Sequence, residues 1–170
     1  MQIQIDSREH KKELARIQGQ LQALGVDYFI SKLYVGDYMN LDNPRLVIDR
    51  KKDLLELCGN VCQQHERFRS ELIRAKEHDI KLIILVEHGE DIKSLEDVFF
   101  WQNPRNKPTR WIVRDGHPVK VPEKGGAVQG EQLYKSLCTI RDRYGVTFKF
   151  CEKDKTGAEI VRLLGGKTDG

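Results

Sequence analysis

The segment Lys81–His88, KLIILVEH, constrains the fold more than any other part of the chain. Its apolar residues follow one another without a polar face, which is the pattern of a central strand covered on both sides. Such a strand needs helices above and below it. Leu14, Ile17, Leu21 and Leu24 recur at helical spacing, and Gly25 stands where a C-cap glycine belongs. Leu54, Cys58, Val61, His65, Phe68 and Leu72 continue in steps of three and four, predicting one long helix to about Lys76. SLEDVFFW, QGEQLYKSLCTIRDRYG and TGAEIVRLL read as further helices, with Gly145 closing the second of them. IQI, VDYFISKLYV, LVID and VTFKFC read as strands, and Gly36-Asp37-Tyr38 reads as a break after the second. Strands and helices in alternation predict an α/β sheet flanked by helices.

One segment departs from that rhythm. In RWIVRDGHPVKV, two strand-like runs flank Asp115-Gly116, a hairpin signal. With the NPRNKPTR loop before it, this predicts a basic insertion over about residues 105–124. It is read as a grip on a phosphate backbone, an exposed flap or a dimer contact. The last residues, 165–170, are expected to be a flexible tail.

At 170 residues the chain is expected to form one domain with its own core. No apolar run approaches the roughly 18 residues that span a bilayer. MQIQID enters a strand-like alternation at once, so no signal peptide is expected. The expectation is an intracellular protein, cytoplasmic if prokaryotic or phage-encoded, not secreted and without membrane contact. Four cysteines in such a chain are expected to be reduced core thiols. Cys58, Cys62 and His65 share a helical spacing, but a zinc site lacks its fourth ligand there.

The formal net charge of +3 is too small to imply a polyanionic partner, so position matters more. Arg50, Lys51, Lys52, Arg67, Arg69 and Arg74 form one basic group; Arg105, Lys107, Arg110, Arg114, Lys120 and Lys124 form another. Most charge runs are solvated faces.

The stretch GDYMNLDNPRLVIDRKK carries the chemistry. Asp37 follows a strand and a glycine. Asp49 and Lys51 lie two apart on a strand, hence on one face. If the two strands are neighbours, two carboxylates and a lysine converge, a set suited to metal-assisted phosphodiester hydrolysis. The acids offer hard oxygen ligands to Mg²⁺, and the lysine orients water or offsets developing charge. The spacing alone fits a surface ion-pair cluster equally well.

More than the spacing is present. DSRE (Asp6–Glu9), GDY (Gly36–Tyr38), VIDRKK (Val47–Lys52), RFRSE (Arg67–Glu71) and LIILVE (Leu82–Glu87) occur in that order, followed by a helix–strand–helix from Gln132 to Leu164. Together they resemble the nuclease domain of the XPF-type structure-selective endonucleases. The resemblance implies a restriction-endonuclease-like fold, a central mixed sheet flanked by helices, here with an inserted β-hairpin. It implies divalent-metal-dependent cleavage of DNA at flaps, forks or other branches, in repair or recombination, with Mg²⁺ as cofactor and Mn²⁺ able to substitute. Asp37 and Asp49 match the metal ligands and Lys51 the catalytic lysine, while Asp6 and Glu9 approach the same pocket. Asp6 is read as a further metal ligand and Glu9 as catalytic. Arg8, Arg50, Lys52, Arg67 and Arg69 are placed on DNA phosphates, or orient the acids, and Arg110 and Arg114 join them from the hairpin. Glu71 is expected to hold an arginine.

Two departures stand out. The usual signature is ERKxxxD, and here the acid is Asp49 and the position four after Lys51 is Leu55. No helix-hairpin-helix or helicase domain is expected in a chain of this length. Members of the family pair through this domain, so Tyr134, Leu137 and Ile140 are a candidate homodimer patch or simply core. The alternative function is a catalytically inactive nuclease-fold module that binds DNA or scaffolds a partner. Trp101 and Trp111 bracket the basic loop, either to stack on unpaired bases or to pack the loop onto the body. His88 reads as an incidental surface residue.

Overall fold

In the computed structural model, which describes residues 1–89, 91–106, 109–122 and 126–165, the apolar run is a strand at the heart of a sheet. The elements in chain order are β1 (Gln2–Ile5), α1 (Lys11–Ala23), β2 (Asp27–Ile30), β3 (Tyr38–Asn40), β4 (Leu46–Lys51), α2 (Leu54–Cys62), α3 (His65–Glu77), β5 (Lys81–Glu87), β6 (Thr109–Arg114), β7 (His117–Pro122), α4 (Gly130–Tyr144), β8 (Thr147–Cys151) and α5 (Thr156–Leu163). A single 3₁₀ stretch, Glu96–Phe100, lies between β5 and β6. Six strands form a mixed sheet in the order β2-β1-β3-β4-β5-β8. β4, β5 and β8 run parallel, and β3 is antiparallel to both β1 and β4.

Alternate residues of β5 enter two separate cores. Leu82, Ile84 and Val86 pack with Leu54, Phe68, Leu72, Leu133 and Leu137 from α2, α3 and α4. Ile83 and Leu85 pack with Ile17 and Leu21 of α1 and Ile160 and Val161 of α5. The expected α/β architecture with a mixed central sheet and helices on both faces is therefore the one that forms.

Four boundaries differ from expectation. The second strand stops at Ile30, and Gly36-Asp37-Tyr38 leads into β3 instead of ending a strand. The long helix is two helices, because the Gln63 and Gln64 amides both donate to the Gly59 carbonyl (2.9 and 3.0 Å) and end the ladder of α2. Phe68 then returns to the core in the same spacing, which hides the break from a periodicity argument. SLEDVFFW forms only the 3₁₀ stretch, with Asp97 accepting from the Ser94 amide at its start. The expected tail lies, from residue 166 onward, outside the described residues, as do Lys107 and Lys124 of the basic stretch.

The hairpin forms as a separate two-stranded antiparallel sheet, with Arg114 opposite His117. Asp115 and Gly116 both take positive φ (53° and 77°), as a type I′ turn requires.

Gly36 sets the approach to β3. Its φ is 66°, and a Cβ there would lie 2.5 Å from Val47 Cγ1 and 2.9 Å from the Ile48 carbonyl oxygen. Both the strained backbone and the overlap penalise any side chain. Gly36→Ala is expected to lower unfolding stability by about 1–3 kcal/mol, read as a reduced urea midpoint at unchanged m-value.

Candidate active site

The end of β4 places charge on both faces of the sheet. Val47 packs on the α2–α3 side and Ile48 on the α1 side. By strand alternation Asp49 and Lys51 follow Val47, and Arg50 follows Ile48. All three are buried, at 3%, 7% and 7% exposure. Asp37 arrives one residue before β3, held to β4 through both of its ends. Its amide donates to the Ile48 carbonyl at 2.8 Å, and its Oδ2 accepts from the Arg50 amide at 2.8 Å. Lys51 Nζ lies 2.9 Å from Asp49 Oδ1 and 2.7 Å from Oδ2. Only the first contact has hydrogen-bond geometry, so Oδ2 is a buried oxygen with a charge beside it but no directed donor.

Asp37, Asp49 and Lys51 line one cleft of about 470 Å³ together with Asp6, Glu9, Glu56 and Glu71. The convergence anticipated from sequence is present, with β3 and β4 as the adjoining strands.

Around this group lies a shell of fixed partners. Asp6 accepts from the Arg8 amide (3.0 Å) and from Arg8 Nε and Nη2, while Arg8 Nη2 also reaches the Leu33 carbonyl (3.0 Å). Glu9 accepts from Arg50 Nη2 (2.8 Å) and from the Tyr38 hydroxyl (3.0 Å). On its other side Arg50 Nη1 lies 3.2 Å from Glu87, which is fully buried at the end of β5. Glu87 in turn accepts from Arg16 of α1 and from the Thr156 hydroxyl (2.8 Å) at the start of α5. Glu71 of α3 accepts from the Gly36 amide (2.9 Å), one residue before Asp37.

The charges raise one another's cost. Burial first, then the neighbouring Asp49 and Glu9, push the Asp37 carboxyl well above the ordinary aspartate range, with Lys51 acting against the rise. For Lys51, burial disfavours the ammonium, but Asp49 and Asp37 outweigh it and hold its pKa above the usual value. Lys51 is therefore charged at neutral pH.

The ERCC4 domain matches residues 5–164. The chain belongs to the ERCC4-domain family. Two solved structures are similar to it: XPF from Aeropyrum pernix (19% identity, TM-score 0.63, covering 96% of this chain and 63% of that one) and the same protein in complex with DNA (18%, 0.62, 96% and 62%). The chain thus spans under two thirds of those proteins' length. At this identity the likeness concerns the fold. The search of curated proteins found no match.

Within this ERCC4 domain several residues anticipated from sequence take other places. Arg50 is enclosed between Glu9 and Glu87, so it orients acids and does not face DNA. Arg69 turns to a groove between α3 and α4, away from the acidic cleft. Arg8 is half-exposed at the cleft, Arg67 and Lys52 are exposed on its rim, and Arg110 and Arg114 are exposed on the hairpin. Glu71 accepts from the Gly36 amide, and among the described residues no arginine forms an ion pair with it. Leu137 is fully buried in the core and cannot pair with a second copy, while Tyr134 and Ile140 pack half-buried beside it. Cys58 is buried, but Cys62 and His65 are exposed, so the three do not share a buried face. Trp101 packs into the core and Trp111 is exposed.

Sequence reasoning missed Arg16, Thr156 and the structural part played by Glu87. An acid closing an otherwise apolar, doubly buried strand is the signal that marks Glu87. Arg74 and Glu56 also line the cleft.

A hard divalent cation fits the donor set in a limited way. Among the described residues no three acidic, histidine or cysteine side chains come close enough together to hold a metal alone. Asp6 and Glu9 are already engaged by arginines. Asp37 and Asp49 remain, one with a raised pKa and the other with an orphaned oxygen, and both conditions are relieved by a cation. Mg²⁺ commonly uses one or two carboxylates and completes its shell with water and phosphate, so the type and number of these two donors fit such an ion.

The electrostatics predict a pH dependence. Because the folded-state pKa of Asp37 lies above the ordinary aspartate value of 3.8, the folded state holds this proton more tightly than the unfolded chain. Its contribution to stability is present below about that value and is lost as pH rises through the folded pKa. Asp37→Asn is expected to raise the metal-free Tm at pH 7, by roughly 2–4 °C per kcal/mol of relieved repulsion, and to flatten the Tm–pH curve above pH 4. Thermal unfolding of both proteins across pH 4–8 with chelator checks this.

Proposed function

We propose that this ERCC4 domain is a divalent-metal-dependent endonuclease that hydrolyses phosphodiester bonds in DNA, acting where a single strand leaves a duplex. The observation that carries the reading is the meeting of Asp37, Asp49 and a charged Lys51 in one cleft. Asp37 and Asp49 would hold the cation, Mg²⁺ or Mn²⁺. When bound, it supplies charge to polarise the phosphate and acidifies water.

The protein's own groups divide the remaining work. Without a bound cation, Asp49 and Asp37 hold the Lys51 pKa above its usual value, so its resting form is the ammonium. It presents a fixed positive charge to the non-bridging oxygens as negative charge accumulates in the transition state. The Arg50 amide fixes the Asp37 carboxylate, and the Arg50 guanidinium fixes Glu9 at the mouth of the same cleft. Glu9 then faces the attacking water as a group that orients it. Asp6 serves chiefly to aim Arg8, whose half-exposed guanidinium meets a phosphate. Lys52, Arg67 and Arg74 extend that positive rim.

Labelled flap, fork, Holliday-junction, blunt duplex and single-stranded DNAs, incubated with Mg²⁺ or Mn²⁺, test the reading. Incision of branched DNA is expected, abolished by EDTA and by Asp49→Ala. Lys51→Ala is expected to lower kcat about 10²–10³-fold while DNA affinity stays within a few-fold of wild type. Tight binding without incision on any substrate and with either metal would reject the enzyme and favour a DNA-docking module.

A further inference from the structure

The hairpin β6–β7 carries two unlike faces. Strand alternation and the register place Trp111 and Val113 on one face, opposite Lys120 and Pro118. The other face carries Arg110, Arg114 and His117 with Ile112 and Val119 between them. Trp111 is 68% exposed and Val113 75%. An isolated two-stranded hairpin is marginal in water, and these strands stay outside the main sheet. Exposing its largest apolar residues makes sense only if something covers them.

The charge pattern identifies the occupant. The described hairpin bears Arg110, Arg114 and Lys120 against Asp115 alone, so it attracts a polyanion. A flat indole with a lysine directly across the ladder matches an unpaired nucleotide, the base stacking on the ring and the phosphate meeting the ammonium. On the reverse side two arginines, four residues apart on one strand, match the backbone of a duplex.

We infer that the hairpin is a junction reader: Trp111 stacks on an unpaired base while Arg110 and Arg114 hold the adjoining duplex. The inference rests on the nuclease reading and deepens it, since it names the element that distinguishes branched from linear DNA. Trp101, buried in the core, takes no part, and it gives a constant background in fluorescence.

The test uses the full chain with Ca²⁺ in place of Mg²⁺. Titration with a flapped duplex bearing an oligothymidylate arm is expected to quench tryptophan emission, and a blunt duplex is not. Trp111→Ala is expected to weaken flap binding about 5–100-fold by anisotropy, with blunt-duplex affinity unchanged. Trp111→Phe retains most of the affinity, because a phenyl ring still offers a π-face. Arg110→Ala with Arg114→Ala lowers the salt slope for blunt duplex by about 2. Equal flap affinity in Trp111→Ala and wild type, or no quenching, overturns the proposal. So does a dimeric wild type that Trp111→Ala makes monomeric in light scattering, since the face would then join two copies. The two readings fail separately. Trp111→Ala that binds and incises like wild type removes the hairpin's role and leaves the nuclease. Wild type that is quenched by flaps but never incises does the reverse.

Discussion

Taking an ion out of water costs several kcal/mol even after the protein relaxes, and the end of β4 does this three times in succession. Asp49, Arg50 and Lys51 are all buried, so each needs a partner of opposite sign within reach. On one face Asp49 and Lys51 form an ion pair, with Asp49 Oδ2 left without a directed donor. On the other, Arg50 stands between Glu9 and Glu87. Glu87 then requires Arg16 and Thr156, and so α1 and α5 are drawn to the same end of the sheet. The placement of four elements follows from keeping one short strand end electrically satisfied.

The two faces are not equivalent in consequence. On the Arg50 side carboxylates and guanidinium groups alternate, although Arg50 Nη1 and Glu87 Oε2, 3.2 Å apart, lack hydrogen-bond geometry. On the Asp49 side Asp37 adds a second acid, so two carboxylates face Lys51. Removing Asp37 would leave a quieter structure, which is the usual mark of a group kept for chemistry at some cost in stability. Arg50 joins the two sides without serving both with the same atoms. Its amide fixes Asp37 and its side chain fixes Glu9.

Much of this was legible in the sequence, for reasons that differ by element. β5 announced itself because two-sided burial leaves no polar position. Asp49 and Lys51 were readable because a period of two is a property of any strand. Their approach to Asp37 was conditional on which strands pair. The pairing strand, β3, is only three residues long and follows a turn motif, so local pattern concealed it. The break between α2 and α3 was hidden because the apolar spacing runs through it unchanged. For Arg50 two roles stayed open, a phosphate contact or the orienting of acids, because sequence gives a side chain's charge but not which side of the sheet it faces. Arg50 among lysines looks like a DNA contact until alternation assigns it to the α1 side.

The same physical logic applies around Leu55. In this chain Asp53 caps α2, accepting from the Glu56 amide at 2.7 Å, and Leu55 packs half-buried against the core. Glu56, on the next position, lines the cleft and accepts from the Lys52 amide at 2.8 Å. An acid at residue 55 would have to leave the apolar surface that Leu55 covers, so the carboxylate of this corner is carried by Glu56. That carboxylate also stands near the positive end of the α2 dipole, where a negative charge is favoured. By fixing the Lys52 amide it sets the point at which β4 turns into α2, and with it the direction from which Lys51 enters the cleft. A carboxylate therefore stands at this corner of the cleft although residue 55 is apolar.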